Sequence, residues 1–361
     1  MKRAIVSVTN DLCTDQRVAK TCSTLLALNY DVILIGRKLK NSLPISREYK
    51  TKRFKLLFNT SFLFYAEYNI RLFFFLLFNK KTLLISNDLD TLLANYLVSR
   101  LQKKELVYDS HELFTEIPEL VTKPFIKRCW SFIEKVMLPK LNHVIVVSES
   151  IAGFYKKKYG ISPHVIRNLP QTSEIELGEF TFDPKDKKVI LYQGAINIGR
   201  GLELMIDTMP LLDDFIFVMV GDGDILKELK KKVISKRLES NVFFMKKIAP
   251  EKLKTITPLA DIGISIEEDL GLNYRYALPN KLFDYIHAEI PVITSNLPEM
   301  SRITTHYKIG EVVNQRTPKS MANVVLSIDK KNYLEALKKA KKELQWHIER
   351  EKLIHIFKHL N

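Results

Sequence analysis

Charged and polar side chains gather in the sequence where a short apolar run ends, at residues 264–266. Three carboxylates follow this run directly: Glu267, Glu268 and Asp269. Pro279 then opens a predicted helix that carries Asn280 and Lys281, and proline is well tolerated at that position. In open α/β sheets, ligands bind outside the carboxyl ends of the strands. The acidic loop can therefore bind sugar hydroxyls, while Lys281 and the helix N-terminus can hold a phosphate. Taken singly, each of these residues could equally be a solvated surface residue.

A second candidate anion site follows the predicted strand at residues 188–192. The next segment contains Gly194, Gly199 and Arg200, and a helix is predicted from Leu202. Glycines between a strand and a helix let backbone N–H groups approach a phosphate, and an arginine can add a bidentate contact. The alternative is a plain tight turn with a solvated arginine.

A histidine among carboxylates follows the predicted strand at residues 105–108. The strand delivers Asp109, His111 and Glu112 to its carboxyl end. Flanking carboxylates can orient an imidazole or raise its pKa. A lone histidine is more often structural, but its place just past a strand favours a ligand-binding role for His111.

The elements that position these residues alternate between strand and helix, twice along the chain. The first series begins with a strand at residues 2–8 and a helix at 18–28, and the second begins at Lys188. This pattern predicts an α/β fold of two doubly wound Rossmann-like domains that face each other across a cleft. The first βαβ unit lacks the glycine-rich dinucleotide fingerprint, so an NAD site is not indicated there. The predicted domains are residues 1–170 and 171–335, with residues 336–361 as a helix packing across both.

Composition limits the class of protein. A chain of 361 residues suggests two domains. Its hydrophobic fraction of 46% is that of a globular chain and not of a disordered one. Three cysteines without metal-ligand spacing fit a reducing compartment. No signal-peptide pattern and no uncharged apolar run long enough to span a bilayer are apparent.

The positive charge is concentrated in the N-terminal half. Residues 1–170 contain 27 Lys+Arg against 14 Asp+Glu, and the remainder contains 29 against 27. This half also contains the apolar, aromatic segment 56–78, interrupted by Glu67 and Arg71 at helical spacing. One interpretation is a helix pair on an anionic membrane surface, and the other is an ordinary core helix. A phosphorylated acceptor and nucleic acid are further candidate partners for the basic half.

Eight stretches of the chain, in this order, resemble motifs of GT-B-fold glycosyltransferases of the family 4 type found in bacterial surface-polysaccharide clusters. They are NDLCTDQRV, SNDLDTLLA, VYDSHELF, VIVVSES, VIRNLP, LYQGAINIGRG, VMVGDGD and ALPNKLFDYIHAEIPVI. The resemblance implies a retaining, metal-independent transfer from a nucleotide sugar to a glycan or lipid-linked acceptor. It implies that residues 1–170 hold the acceptor and residues 171–335 hold the nucleotide sugar. It also implies a cytoplasmic enzyme associated peripherally with the inner membrane.

The resemblance also implies roles for individual residues. Arg200 matches the basic residue for the donor diphosphate, Asp284 the acidic residue that meets the ribose, and His111 the histidine near the donor sugar. The implied donor side comprises Gly194, Arg200, Asn280, Lys281 and Asp284. The implied acceptor side comprises Asn10, Asp11 and Asp109.

Two positions depart from the family pattern. Tyr276 stands where the first glutamate of the paired-glutamate motif is expected, which leaves Glu268 as the candidate catalytic carboxylate. Ala195 stands where a second basic residue is expected, which leaves Lys281 as the substitute. The Asp-x-Asp triplet at residues 222–224 lies in a turn after a strand and is interpreted as structural. No metal or other cofactor is expected.

Two other functions fit parts of the pattern. One is a GT-B nucleotide-sugar epimerase, although a small soluble substrate gives no reason for a basic, aromatic-rich N-terminal half. The other is a basic nucleic-acid-binding protein, suggested by a pI near 9.4. No recognised nucleic-acid-binding motif accompanies the charge, so nucleic acid is not an expected partner.

Overall fold

The structure is a computed structural model that describes residues 2–13, 15–121, 123–172 and 176–360. It divides into two units: Met1–Asn168 with Glu349–Asn361, and Leu169–Ile348. Each unit is built on one parallel sheet with helices between its strands, which confirms the predicted α/β class and the two Rossmann-like repeats. The predicted domain boundaries and the cross-domain packing of the last helix stay predictions. The sequence also predicts a polar linker at about residues 171–187, of which residues 173–175 lie outside the described residues.

The first unit has a sheet of seven strands in the order β3-β2-β1-β4-β5-β6-β7. Its strands are β1 Arg3–Ser7, β2 Asp31–Arg37, β3 Lys50–Phe54, β4 Leu83–Asn87, β5 Glu105–Ser110, β6 His143–Val146 and β7 His164–Val165. Its helices are α1 Gln16–Ala27, α2 Ser61–Phe78, α3 Leu89–Gln102, α4 Pro118–Val121, α5 Pro124–Met137 and α6 Glu149–Tyr159. The strand order reverses between β1 and β4, which makes that pair the topological switch point where doubly wound folds bind ligands.

The second unit has a sheet of six strands in the order β10-β9-β8-β11-β12-β13. Its strands are β8 Lys188–Gln193, β9 Phe215–Val220, β10 Val242–Met245, β11 Ile262–Ser265, β12 Val292–Ser295 and β13 Gly310–Val313. Its helices are α7 Leu202–Thr208, α8 Leu226–Ser235, α9 Pro250–Ile256, α10 Leu272–Arg275, α11 Asn280–His287, α12 Pro298–Tyr307, α13 Pro318–Ser327 and α14 Leu334–Glu343, and α15 Trp346–Lys358 follows. Here the order reverses between β8 and β11.

The sequence of β9 explains why its sheet has a core on both faces. All six residues of FIFVMV are buried. Side chains alternate between the faces of a strand. Accordingly, Phe215, Phe217 and Met219 join one hydrophobic cluster with α7 and α13. The alternate residues join a second cluster with α11 and α12. A continuous apolar strand of this kind is typical of a parallel sheet covered by helices on both sides.

Two helix ends have the capping that their sequences predict, and one local prediction needs correction. Asn29 has the left-handed φ of 61° expected just after a helix, and Ser148 caps α6 by accepting the N–H of Ile151. The predicted helix pair over residues 56–78 is wrong, because the structure has the single helix α2. Glu67 accepts the N–H groups of Leu57 and Phe58, which keeps the preceding residues in a loop.

The sequence analysis did not predict β3. This strand has the sequence KTKRF and lies at the edge of the sheet, next to β2. Exposed lysines are common on edge strands because they discourage pairing with other chains. Such a strand has little of the apolar signal on which strand prediction depends.

Candidate active site

The switch point of the second unit brings two loops together. The loop 194–201 follows β8 and the loop 266–271 follows β11, and the two strands are paired neighbours. The N–H of Glu268 donates to the carbonyl of Gly199 at 2.8 Å. Gly201 has φ +74°, and a Cβ there would lie 2.3 Å from the carbonyl oxygen of Ile266. Only glycine fits this contact, so the chain is built for close approach of the two loops.

A buried carboxylate lies between two cations at this point. The side chain of Glu267 is fully buried, and its Oε1 lies 2.8 Å from Nζ of Lys281. Nη1 of Arg200 is 3.6 Å from the same oxygen. The hydroxyl of Ser265 donates to the other carboxylate oxygen at 2.8 Å. One acid and two bases leave the group with a net positive charge, which suits an anionic ligand.

The pKa values agree with a charged cluster. Burial alone would raise the pKa of Glu267, but the attraction of Lys281 and Arg200 holds it below its usual value. Burial alone would lower the pKa of Lys281, but Glu267 raises it above its usual value. Glu267 and Lys281 are therefore both ionised at neutral pH.

Lys281 is positioned by the start of α11, of which it is the second residue. Its ammonium lies 4.1 Å from the centroid of the Tyr192 ring, at cation–π distance. Gly194 has φ +132°, and a Cβ on it would meet the Lys281 side chain at 3.6 Å. The missing side chain at this position leaves the approach to the ammonium open.

The other predicted donor-side residues lie on the same helix. Asn280 is the exposed first residue of α11, and Asp284 lies one turn further on. The amide of Gln193, at the end of β8, donates to Asp284 at 3.0 Å. The structure thus brings Gly194, Arg200 and Lys281 together with these two residues around one sheet edge.

The acids of the loop after β11 have separate surroundings. Glu268 is partly exposed, with an oxygen 3.6 Å from Nη2 of Arg316. Asp269 pairs with Arg275 at the surface. Glu268 is the predicted catalytic carboxylate of this loop. Arg316, for which the sequence predicts no role, also donates to the carbonyl of Ile266 at 3.0 Å. The burial of Glu267 could have been suspected from its alternation with Ser265, but nothing in the sequence connects Arg316 to this loop.

In the first unit, His111 lies between two carboxylates. Its Nδ1 is 3.5 Å from Asp88 and its Nε2 is 3.5 Å from Asp109. The backbone N–H of His111 also donates to Asp88 at 2.8 Å. Burial alone would lower the pKa of His111, but the two carboxylates raise it to about 9. The imidazole is therefore protonated at neutral pH, and both of its nitrogens are donors.

Asp109 is held by a buried ion pair that the sequence analysis did not predict. Arg17 of α1 lies 2.6 Å from it, and both side chains are almost fully buried. Burial would raise the pKa of Asp109, but Arg17 and His111 hold it well below its usual range. Arg17 also donates to the carbonyl of Ile166 at 2.7 Å. Asp109 is thus an ionised anchor for His111.

Two further aspartates lie at the end of β4. Asp88 has φ +56°, an uncommon backbone conformation for a residue other than glycine. Burial raises the pKa of Asp88, and burial with the nearby Asp88 charge raises that of Asp90 to about 7. Asp90 accepts a hydrogen bond of 2.5 Å from the hydroxyl of Thr9, which follows β1. The switch point of the first unit therefore holds several carboxylates, and of Asp88, Asp90 and Asp109 only Asp109 was predicted as a site residue.

The predicted acceptor-side residues after β1 stabilise their own loop. Asn10 accepts the N–H of Leu12 at 2.8 Å and donates to Asp15 at 2.7 Å. Asp11 accepts the N–H of Cys13 at 3.2 Å. These contacts place both residues at the carboxyl edge of β1, and their role toward an acceptor stays a prediction.

The Asp-Gly-Asp triplet at residues 222–224 has the contacts of a turn. Asp222 accepts the N–H of Gly223, and the N–H of Asp224 donates to Asn197. Within the part of the chain that the structure describes, no group of three or more His, Cys, Asp or Glu residues is arranged to hold a metal ion. Metal independence itself stays a prediction.

Comparison with known proteins agrees with this architecture. The family model for glycosyl transferases group 1 matches residues 176–344, and that for Glycosyltransferase Family 4 matches residues 16–171. A search of curated protein sequences finds no match to this chain.

Solved structures share the fold at low sequence identity. Sucrose-phosphate synthase from Thermosynechococcus elongatus is 14% identical, over 99% of this chain and 98% of that chain, with a TM-score of 0.84. HepE from Anabaena in complex with UDP-glucose is 14% identical over the whole of both chains, with a TM-score of 0.73. The lipopolysaccharide outer core galactosyltransferase WaaB is 13% identical, over 99% of this chain and all of that chain, with a TM-score of 0.65. The first of these family models covers most of the second unit, and the other covers most of the first unit. This chain therefore belongs to the GT-B glycosyltransferases of the family 4 type.

Proposed function

We propose that this glycosyltransferase takes a sugar from a nucleotide-sugar donor and transfers it, with retention and without a metal ion, to a glycan or lipid-linked acceptor of a bacterial surface polysaccharide. The carrying observation is the pair of cations, Arg200 and Lys281, around buried Glu267 at the switch point of the second unit. HepE was solved with UDP and with UDP-glucose, which supports a nucleotide-sugar donor. The likeness to a lipopolysaccharide galactosyltransferase supports a surface glycan.

The cations act on the leaving group. When the glycosidic bond to the donor phosphate breaks, the nucleoside diphosphate gains negative charge. Arg200, Lys281 and the N-terminus of α11 supply positive charge and N–H donors for it, which is the stabilisation that a metal gives in other transferases. Asp284 accepts hydrogen bonds from ribose hydroxyls, and Glu268 accepts them from the donor sugar.

His111 acts as a donor of hydrogen bonds and not as a general base. Asp88 and Asp109 keep it protonated at neutral pH, so it has no lone pair for a proton. Its contacts in the reaction are to sugar oxygens. The departing phosphate takes the proton of the acceptor hydroxyl, and attack occurs on the face from which the phosphate leaves. Asn10, Asp11 and Asp109 belong to the acceptor side in this proposal.

The enzyme works in the cytoplasm, at the inner face of the membrane where lipid-linked acceptors are found. The basic, aromatic-rich first unit supports this location. Nucleic acid is not a partner in this proposal.

A thermal-shift screen of the purified protein tests the donor site. UDP-, GDP-, ADP- and CMP-sugars are compared on the native protein, Arg200→Ala and Asp284→Ala. A ligand that binds the native state raises the free energy of unfolding, by about 2.7 kcal/mol when its concentration is a hundredfold above Kd. The melting temperature rises with it. We expect a shift with one nucleotide class that is lost in both variants. Lys231→Ala, which removes an exposed cation remote from the site, is the control and keeps the shift. No shift with any donor would contradict the proposal.

The products test the chemistry. Proton NMR of the new linkage reports its anomeric configuration, and we expect the configuration of the donor. Activity in the presence of EDTA is expected to equal activity without it. Conversion of the nucleotide sugar to its epimer without an acceptor would instead support an epimerase.

A further inference from the structure

Helix α2 has two apolar faces. Its inward face is a row of buried side chains at a spacing of four: Phe64, Tyr68, Leu72 and Leu76. Its outward face has the same spacing, and its large members are exposed: Phe62 by 65%, Ile70 by 59%, Phe74 by 52% and Phe78 by 78%. A surface helix of a globular protein normally has polar residues on its outward face. Contiguous exposed apolar side chains of this size mark an interaction surface. We call this outward row the apolar stripe.

The inward face fixes α2 to the first unit. The hydroxyl of Tyr68 donates to the carbonyl of Val8 at 2.6 Å, and the amide of Asn69 donates to the carbonyl of Asp90 at 2.7 Å. By length and composition alone, α2 could cross a membrane, and only 28% of its residues are buried in the protein. Because the helix is anchored along one side, an apolar medium can meet it only from the flank. This geometry suits a helix lying in an interface and not one spanning a bilayer.

A basic pocket adjoins one end of the apolar stripe. The pocket has a volume of about 260 Å³, and four of the nine residues that line it are cations: Arg100, Lys103, Lys104 and Lys140. Glu105 is its one acidic lining residue. Gln102, the neighbour in sequence of the lining residue Lys103, links the pocket to α2 by donating to the carbonyl of Leu77 at 2.9 Å. Lys81 joins the same junction by donating to the side chain of Gln102.

Charge complementarity selects the occupant of this surface. A nucleic acid would satisfy the cations but leave the phenylalanines of the apolar stripe in water. A second copy of this chain would cover the phenylalanines but bring its own cations against those of the first copy. An anionic phospholipid bilayer provides both an apolar interior for the phenylalanines and phosphate headgroups for the cations.

We propose that the apolar stripe of α2 and the adjoining basic pocket form a docking surface for an anionic phospholipid bilayer. The stripe enters the boundary between headgroups and acyl chains, and the pocket receives a headgroup phosphate. This assignment specifies the membrane contact of the proposed function, but it does not depend on sugar transfer.

Vesicle flotation of the full chain tests the proposal. Vesicles of phosphatidylcholine alone are compared with vesicles that also contain phosphatidylglycerol, at low and at high salt. We expect binding to the anionic vesicles that weakens at high salt, because screening shortens the reach of the charges. A native protein that stays in the soluble fraction with anionic vesicles at low salt would overturn the proposal.

Two variants separate the apolar and the cationic contributions. The stripe variant is Ile70→Ser, Phe74→Ser, Phe78→Ser, and the pocket variant is Lys103→Gln, Lys104→Gln, Lys140→Gln. We expect each variant to lower the vesicle partition coefficient by about tenfold or more. In the pocket variant, each cation lost near an anionic surface removes roughly a fivefold factor. In the stripe variant, the apolar area that can enter the interface is lost. The matched controls change equally exposed residues of the second unit: Leu211→Ser, Ile234→Ser, Leu326→Ser, and Lys227→Gln, Lys231→Gln, Lys252→Gln. The controls are expected to bind as the native protein does.

The remaining outcomes also decide the question. Equal losses in variants and controls would overturn the docking surface. A stripe variant that binds vesicles normally but converts a native dimer to a monomer would show that a second copy covers the stripe. Thermal shifts with nucleotide sugars are measured on the same variants, and we expect them to be unchanged. Failure of vesicle binding with intact donor shifts would refute the docking surface and leave the proposed donor site standing.

Discussion

The substitution Glu267→Gln tests the interpretation of the donor site most directly. It removes one negative charge with almost no change of shape, and it leaves Lys281 and Arg200 facing a neutral amide. The Glu267 side chain is fully buried, and that of Lys281 is 9% exposed. Removing one partner of a buried ion pair costs about 3–5 kcal/mol. The amide can still accept from Ser265 and Lys281, so we expect the lower end of that range, about 3 kcal/mol.

Calorimetry measures this loss. For a unit of this size, about 1 kcal/mol lowers the melting temperature by roughly 2–4 °C, so the second unit should melt about 6–12 °C lower. The loss should depend on pH. The folded-state pKa of Glu267 is depressed, so its stabilising contribution is present above the unfolded value and is lost as the pH falls through the folded value. The difference between native and variant should therefore shrink in acid.

The effect of the nucleotide gives the sharper result. In the native protein Glu267 competes with a phosphate for Lys281, and in the variant it does not. We expect UDP or the matching nucleotide to raise the melting temperature more in Glu267→Gln than in the native protein. Glu299→Gln is the matched control, because Glu299 is also buried but pairs with the half-exposed Arg302. A small loss of stability together with an unchanged nucleotide effect would refute the assignment of these cations to the donor phosphate.

Three other expectations follow from the two switch points. Arg17→Gln removes the closer of the two cations around buried Asp109 and leaves only His111, so urea unfolding should show the first unit destabilised by about 3 kcal/mol, and a loss below about 1 kcal/mol would contradict a tight ion pair. The pKa of His111 is raised from 6.5 to about 9, so its contribution to stability is fully present below 6.5 and is lost as the pH rises through about 9. The excess stability of the native protein over His111→Gln should therefore disappear over that window, and a difference independent of pH would count against a protonated imidazole. Gly201→Ala places a methyl group 2.3 Å from the Ile266 carbonyl at φ +74°, so donor thermal shifts should be lost, whereas Gly153→Ala, with open space around it, should behave as the native protein.

The fold was largely predictable because its strands carry strong signals. The apolar run at residues 215–220 predicts a strand, and β9 has the same bounds. The edge strand β3 was missed since three of its five residues are basic, and the segment before α2 was mistaken for a helix because its apolar composition hides the loop that Glu67 holds.

The donor site was predictable as a region but not in its detail. Strand ends and glycines pointed to Arg200 and Lys281, and both lie at the switch point. Successive residues of an extended segment point to opposite sides. Alternation from Ser265 therefore favours Glu267 as the inward residue, but its partners Lys281 and Arg200 follow from tertiary packing. The contact of Arg316 with residues about fifty positions earlier carries no local signal at all.

The division of the chain has a consequence for how the protein is synthesised. The first unit is completed by the segment from Glu349, whose buried carboxylate accepts from the backbone and side chain of Arg167 across 182 residues of sequence. Domains of a growing chain generally fold in the order in which they leave the ribosome. Here the second unit is continuous and emerges whole while the first still lacks its last helix. The ribosome thus releases the last part of the first unit only after it has made the entire second unit.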